Sequence, residues 1–309
     1  MFNSLSNFFD RAFAVGHFLP AVIFVNLSIW TADSFGISRQ GSQVQFSTLV
    51  DATIIGVISW LLGTLLAAIN RDILRVMEGY GSLNPARLLY TFQIRKYRNK
   101  KRLINDLNNK YLNYYEHGEA FPESDQKKRN KLLREFVNSF PDEERWLLPT
   151  SFGNAMRAFE VYPRLMYGID AIPGWERLLS VIPEGYKRLI DSSKSQLDFW
   201  INIWFLNLIL LGEYCFLFLY TRNTELIWLP FLVFVLAFYF FSKSRSAAIE
   251  WGILIKSSFD LFLDDLRKKL GFAQPASFEE EVEMWRKYSQ SIIFHYPDSL
   301  PTKYVGRQS

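Results

Sequence analysis

The sequence predicts an all-α integral membrane protein with four transmembrane helices and a helical cytoplasmic domain. Three observations carry this. Apolar residues are bunched rather than periodic. Four of the bunches approach the ~20 residues that a bilayer requires. No alternating β pattern persists anywhere. Of 309 residues, 49% are hydrophobic and 17% aromatic, with 28 Phe, 15 Tyr and 9 Trp.

The first span lies between Arg11 and Asp33, "AFAVGHFLPAVIFVNLSIWTA". Only Arg11 marks its basic flank and no small-residue cleavage site follows, so it reads as a retained helix rather than a signal peptide. Pro20 is expected to kink it. The second span lies between Asp51 and Arg71, the third runs from Leu197 to Tyr220, and the fourth lies between Glu225 and Lys243. All but two of the 35 Lys and Arg, Arg39 and Arg222, fall outside the two short connections. The positive-inside rule therefore places both termini and the central segment in the cytoplasm. Trp30 and Trp228 at one face, with Trp200 and Trp204 at the other, suit interfacial belts. The expected organisation is an N-terminal transmembrane hairpin over 1–70, a cytoplasmic helical domain over 71–196, a second hairpin over 197–242 and a cytoplasmic helical tail over 243–309.

Cytoplasmic helices follow from punctuation and spacing. "NRDILRVMEGYGSLNP" continues from the second span as a helix ending at Gly79–Pro85. A helical pattern follows with Leu88, Leu89, Phe92, Leu103, Ile104, Leu107 and Tyr111 as apolar marks, and "EHGEAFPESDQ" reads as a loop. "KKRNKLLREFVNSFP" restarts a helix through Leu132, Leu133, Phe136 and Val137. "SKSRSAAIEWGILIKSSFDLFLDDLRKKLGF" is expected as one helix closed at Gly271. A last helix opens at Ser277, with Glu280 at the capping-box spacing.

The single cysteine, Cys215, and three separated histidines argue against a disulfide framework or a cysteine or histidine metal site. No nucleophile elbow, P-loop, dinucleotide fingerprint or HExxH occurs, so no enzyme and no cofactor is expected. Asp260, Asp264 and Asp265 invite a metal reading, against which stands pairing with Arg267, Lys268 and Lys269 on a solvated helix. A lipid-directed membrane enzyme would rest on Asp260, Asp264 and His295.

The basic run Arg95, Lys96, Arg98, Lys100, Lys101 and Arg102 suits three roles: a solvated face, a grip on phosphates of a nucleotide or oligonucleotide, or a rest on anionic lipid at ~1 kcal/mol per charge. Lys127, Lys128, Arg129, Lys131 and Arg134 would extend it. Within the membrane, Glu213 costs on the order of 2–3 kcal/mol to insert and is a pathway candidate. His17, Asn26 and Asn207 are weaker pathway candidates, and inter-helix hydrogen bonds explain them, with Asn202, at modest energy.

"FFDRAFAVGHFLPAVIF" (8–24), "LLAAINRDILRVMEGY" (65–80), the stretch from Pro149 to Glu184 and "FDLFLDDLRKKLGF" (259–272) together resemble a family of uncharacterised bacterial four-span membrane proteins. Its central pattern is Pro-Thr, Gly-Asn, Arg-Ala, Glu, Tyr-Gly-x-Asp and Trp-x-Arg-Leu, and the likeness covers nearly the whole chain. In layout the chain is also similar to membrane effectors of bacterial antiphage systems, including the Hailong type. There a nucleotidyltransferase makes an oligonucleotide that controls a channel-like partner.

In the central pattern, Asn154, Arg157 and Glu160 lean onto one face of a helix that Pro149-Thr150 initiates. Arg164 and Asp170 follow across Pro163 and Gly168. Such residues suit either a salt-bridge lattice or a pocket in which Arg157 and Arg164 hold an anion. The sequence is thus expected to encode a homo-oligomeric ion channel or membrane-perturbing effector in antiphage defence, gated by a cytosolic anionic nucleotide or oligonucleotide. The alternative is a non-conducting anchor that recruits a soluble partner protein.

Overall fold

The computed structural model describes residues 11–35, 49–117, 120–222, 226–296 and 300. It is 85% helix, with no strand among the described residues. Helix α1 spans Arg11–Ser34, α2 Leu49–Glu78, α3 Tyr90–His117 and α4 Glu123–Ser139. Three short helices follow: α5 Ser151–Glu160, α6 Tyr162–Tyr167 and α7 Ala171–Leu178. Two long ones, α8 Glu184–Thr221 and α9 Trp228–Leu270, precede α10 Phe278–Ile293. Four of these, α1, α2, α8 and α9, are long and apolar enough to cross a membrane.

Two expectations need correction. The loop drawn at "EHGEAFPESDQ" is shorter, because α3 runs on through His117 and α4 is already helical at Glu123. Glu123 and Asp125 complement the positive end of α4, and Pro122 supplies the extended residue before it. The fourth span and the helix drawn after it are one 43-residue helix, since no proline interrupts the chain between Pro230 and Leu270. It closes where expected, at Gly271 with φ +75°.

The chain divides into two compact units, Met1–Met77 with Asp191–Ala248, and Glu78–Ile190 with Ile249–Ser309. In the first unit, α1 carries a π-helical turn at Ala14–Phe18 just ahead of Pro20. At Gly16 it approaches α8 so closely that a Cβ would lie 3.2 Å from the Asp198 Cβ and 3.4 Å from the Ser195 carbonyl oxygen. Small residues at such crossings let helices approach within dispersion range where hydrophobic driving force is absent. Farther along, Phe35, Leu210, Tyr214, Leu217, Leu229 and Val233 form a buried cluster.

In the second unit, Tyr97, Phe140 and Leu147 make a core with Ile94 and Phe136. The Tyr97 hydroxyl donates to the Asp142 carbonyl at 2.6 Å, satisfying its one polar atom. Thr150 caps α5 by accepting from the Gly153 N–H at 2.8 Å. Ser277 caps α10 at the Glu280 N–H (3.3 Å), while the Glu280 carboxylate takes the N–H of Ala276 (2.7 Å), one residue before the usual capping-box position.

Candidate functional site

The polar candidates on the four apolar helices separate by geometry. The Glu213 carboxylate on α8 accepts the Ser28 hydroxyl of α1 at 2.9 Å. Asn207 donates to the Val233 carbonyl of α9 at 2.9 Å, an inter-helix bond. Asn26 instead donates to Val22 of its own helix at 2.8 Å and stays exposed. His17 stacks on Phe13, ring centroids 6.0 Å apart, and its buried Nδ1 has no hydrogen-bond partner.

Asn202, expected from sequence to bond between helices, belongs to a second polar group in the same unit, whose members Lys194 and Asp198 the sequence reading did not join to it. Lys194, Asp198 and Asn202 recur at four-residue spacing on α8 and so share a face. Lys194 ion-pairs with Asp198, whose side chain is 10% exposed. Asn70 of α2 donates to the same Asp198 oxygen at 2.9 Å. Asn202, fully buried, donates to the Gly16 carbonyl of α1 at 2.8 Å. The spacing is visible in the sequence; the partners on α1 and α2 are not. Asn202 and Glu213 lie about 16 Å apart along α8 at roughly 1.5 Å per residue. Between them Leu206 and Leu210 line an apolar groove of about 250 Å³ with Pro20, Phe24 and Leu27.

In the second unit the central pattern divides into fold and cleft. Asn154 is fully buried: its Oδ1 accepts from the Leu148 N–H (2.7 Å), and its Nδ2 donates to the Leu148 carbonyl (3.0 Å) and Gln93 Oε1 (3.4 Å). At Gly153 a Cβ would lie 2.5 Å from the Glu78 carbonyl oxygen, so only glycine permits this contact. Gly168 closes α6 in the left-handed region, φ +79°. The backbone N–H of Asp170 donates to Ser289 at 3.0 Å.

Arg157 and Arg164 both line a cleft of about 390 Å³, together with Trp146, Glu160, Asp170 and Ile172. Arg157 donates to the Tyr80 hydroxyl and pairs with Glu160 at 3.5 Å. The Arg164 guanidinium lies over the Trp146 ring at 5.5 Å. Burial pushes the Glu160 carboxyl above its ordinary range, and Arg157 beside it pulls the other way. Two guanidinium groups and two carboxylates therefore face one space.

The basic run is divided in the same way. Arg98 makes a two-pronged contact with Glu144, Nε to Oε2 at 2.8 Å. Lys100 pairs with Glu135 at 3.1 Å, and Lys101 donates to the Tyr97 hydroxyl at 3.0 Å. Lys96 is half-buried, whereas Arg95 and Arg102 lie exposed. Of the acidic cluster, Asp264 pairs with Arg267 and Lys268 at 2.8 and 2.7 Å. Asp260 does something else: one of its oxygens accepts the hydroxyls of both Tyr162 (2.9 Å) and Tyr167 (2.8 Å). No trio of His, Cys, Asp or Glu among the described residues is placed to hold a metal ion.

Comparison with protein families, with characterised proteins and with solved structures found no match. The class that the chain itself defines is an all-helical protein whose four apolar helices fit a multi-pass membrane protein.

Proposed function

We propose that this protein is an oligomeric ion channel or membrane-perturbing effector of the bacterial inner membrane, gated by an anionic ligand in the cytosol. The observation that carries the reading is Glu213, a carboxylate in an apolar helix with one hydroxyl, Ser28, bonded to it. Ionisable groups within a membrane span are costly and mark ion or substrate pathways among their functional roles. The Arg157–Arg164 cleft supplies the ligand side of the reading, since guanidinium groups bind phosphate and carboxylate in paired geometry. Antiphage defence, with an oligonucleotide as the ligand, is the setting that the resemblance in layout suggests.

The test is ion flux through liposomes carrying the full-length protein, with and without added oligonucleotide. Glu213→Gln should reduce conductance or change cation selectivity. Unchanged flux in this variant removes Glu213 from the pathway. A second reading, a non-conducting anchor for a soluble partner, is favoured by the mostly apolar groove between Asn202 and Glu213, where the Asn207 amide is taken up by the Val233 carbonyl. Vesicles that stay impermeable under every condition, while the protein retains a soluble partner, would establish it instead.

A further inference from the structure

Leu83 is 96% exposed and Leu88 86%, with Phe92 at 60% and Leu89 at 50%, all within ten residues. They belong to no apolar span. They occupy the turn after α2, the 3-10 segment Pro85–Leu89 and the first turn of α3. Soluble surfaces scatter such residues singly; a contiguous group marks a binding surface. Arg87 and Arg95 are exposed among them. Leu88 stands in the 3-10 segment just ahead of α3, and Phe92 and Arg95, at i and i+3 on α3, share one helix face, apolar first and basic after.

We infer that this segment, Leu83 to Arg95, lies on the surface of an anionic lipid leaflet, with Leu83, Leu88 and Phe92 in the interfacial layer and Arg87 and Arg95 at lipid phosphates. An amphipathic element of this kind, apolar tips flanked by arginines, has the composition of interfacial anchors. Its charge complements anionic headgroups, whose field attracts basic residues close to a span. Chain connectivity supplies the second argument. From Arg71 to Glu78, α2 extends about 10 Å past its apolar stretch, at roughly 1.5 Å per residue. Gly79 and Gly81, at φ +96° and +101°, then turn the chain rather than letting it run on along the α2 axis. Leu83 follows directly on that turn, near enough to the end of α2 for the segment to lie at the bilayer surface.

The experiment uses the full chain with Cys215→Ser, which removes the one native thiol, and Leu88→Cys labelled with an environment-sensitive fluorophore. The control label sits at Tyr115→Cys. Tyr115 is 78% exposed, near the far end of α3 and about 35 Å beyond Phe92 at roughly 1.5 Å per residue. Both proteins are reconstituted in phosphatidylglycerol–phosphatidylethanolamine vesicles containing lipids doxyl-labelled near the headgroup. The label at 88 should be quenched at least twofold more than the label at 115, and Arg87→Glu with Arg95→Glu should remove that difference. Equal quenching at both positions overturns the proposal. Quenching at 88 that depends on protein density rather than on doxyl lipid also overturns it and assigns the surface to a second copy of the chain.

Discussion

Asn202 on α8 donates its side-chain amide to the carbonyl oxygen of Gly16 on α1, at 2.8 Å. The residue four positions after Gly16 is Pro20, which has no N–H to give that carbonyl its ordinary helical bond. A neighbouring helix thus replaces the donor that the proline removed, which is how proline is tolerated where no water can reach the backbone.

Asn202→Ala should therefore destabilise the protein by about 1–3 kcal/mol, the cost of a buried acceptor left unpaired. Adding Pro20→Ala should recover part of the loss, because alanine restores an N–H four residues from Gly16. Unfolding in mixed micelles would measure both. If Asn202→Ala is equally destabilising with and without Pro20→Ala, the two residues are not coupled.

Lys194 and Asp198 form the second coupled pair. Lys194→Ala leaves a nearly buried carboxylate with the Asn70 amide and should cost on the order of 2 kcal/mol. Lys194→Ala with Asp198→Ala should be the more stable variant of the two. The same unfolding assay decides it, and a double variant worse than the single would contradict the pairing.

Gly153→Ala tests the close approach in the second unit. Its Cβ would sit 2.5 Å from the Glu78 carbonyl oxygen, and backbone cannot yield as a flexible side chain can. Destabilisation of about 1–3 kcal/mol is expected from the overpacking. A thermal midpoint equal to that of the unaltered protein would show that the two segments separate freely.

Burial, and then the Asp260 carboxylate, push the Tyr162 hydroxyl up to about 12, and the same causes raise Tyr167 above its ordinary value. An unfolded tyrosine loses its proton near ~10. From there up to about 12 the folded chain binds more protons than the unfolded one, so stability falls as pH rises through that window. Below it the contribution is fully present. Tyrosinate absorbance should show late-titrating groups, two of which Tyr162→Phe and Tyr167→Phe remove one at a time. Titration of every tyrosine near ~10 would contradict the arrangement.

The four apolar helices, the Thr150 and Ser277 caps and the stop at Gly271 are all legible from sequence, because each depends on residues within a few positions of one another. The short loop before α4 and the continuity of α9 are not. Charged and glycine-bearing stretches look like boundaries, yet α9 runs straight through its own until Gly271 takes a positive φ. Asp260 reads in sequence as part of a solvated acidic face, and nothing local shows that Tyr162 and Tyr167 arrive at it from almost a hundred residues away.

Local chemistry alone determined that this chain makes long apolar helices with polar residues set into them, because a stretch rich enough in apolar residues is visible in the order of the residues themselves. Tertiary structure decided what those polar residues are for. Asn154 became a latch on Leu148, Asn202 the substitute donor for Pro20, and Arg157 a partner shared by Tyr80 and Glu160. A buried amide or guanidinium must find partners wherever packing brings them, and packing draws those partners from distant parts of the chain.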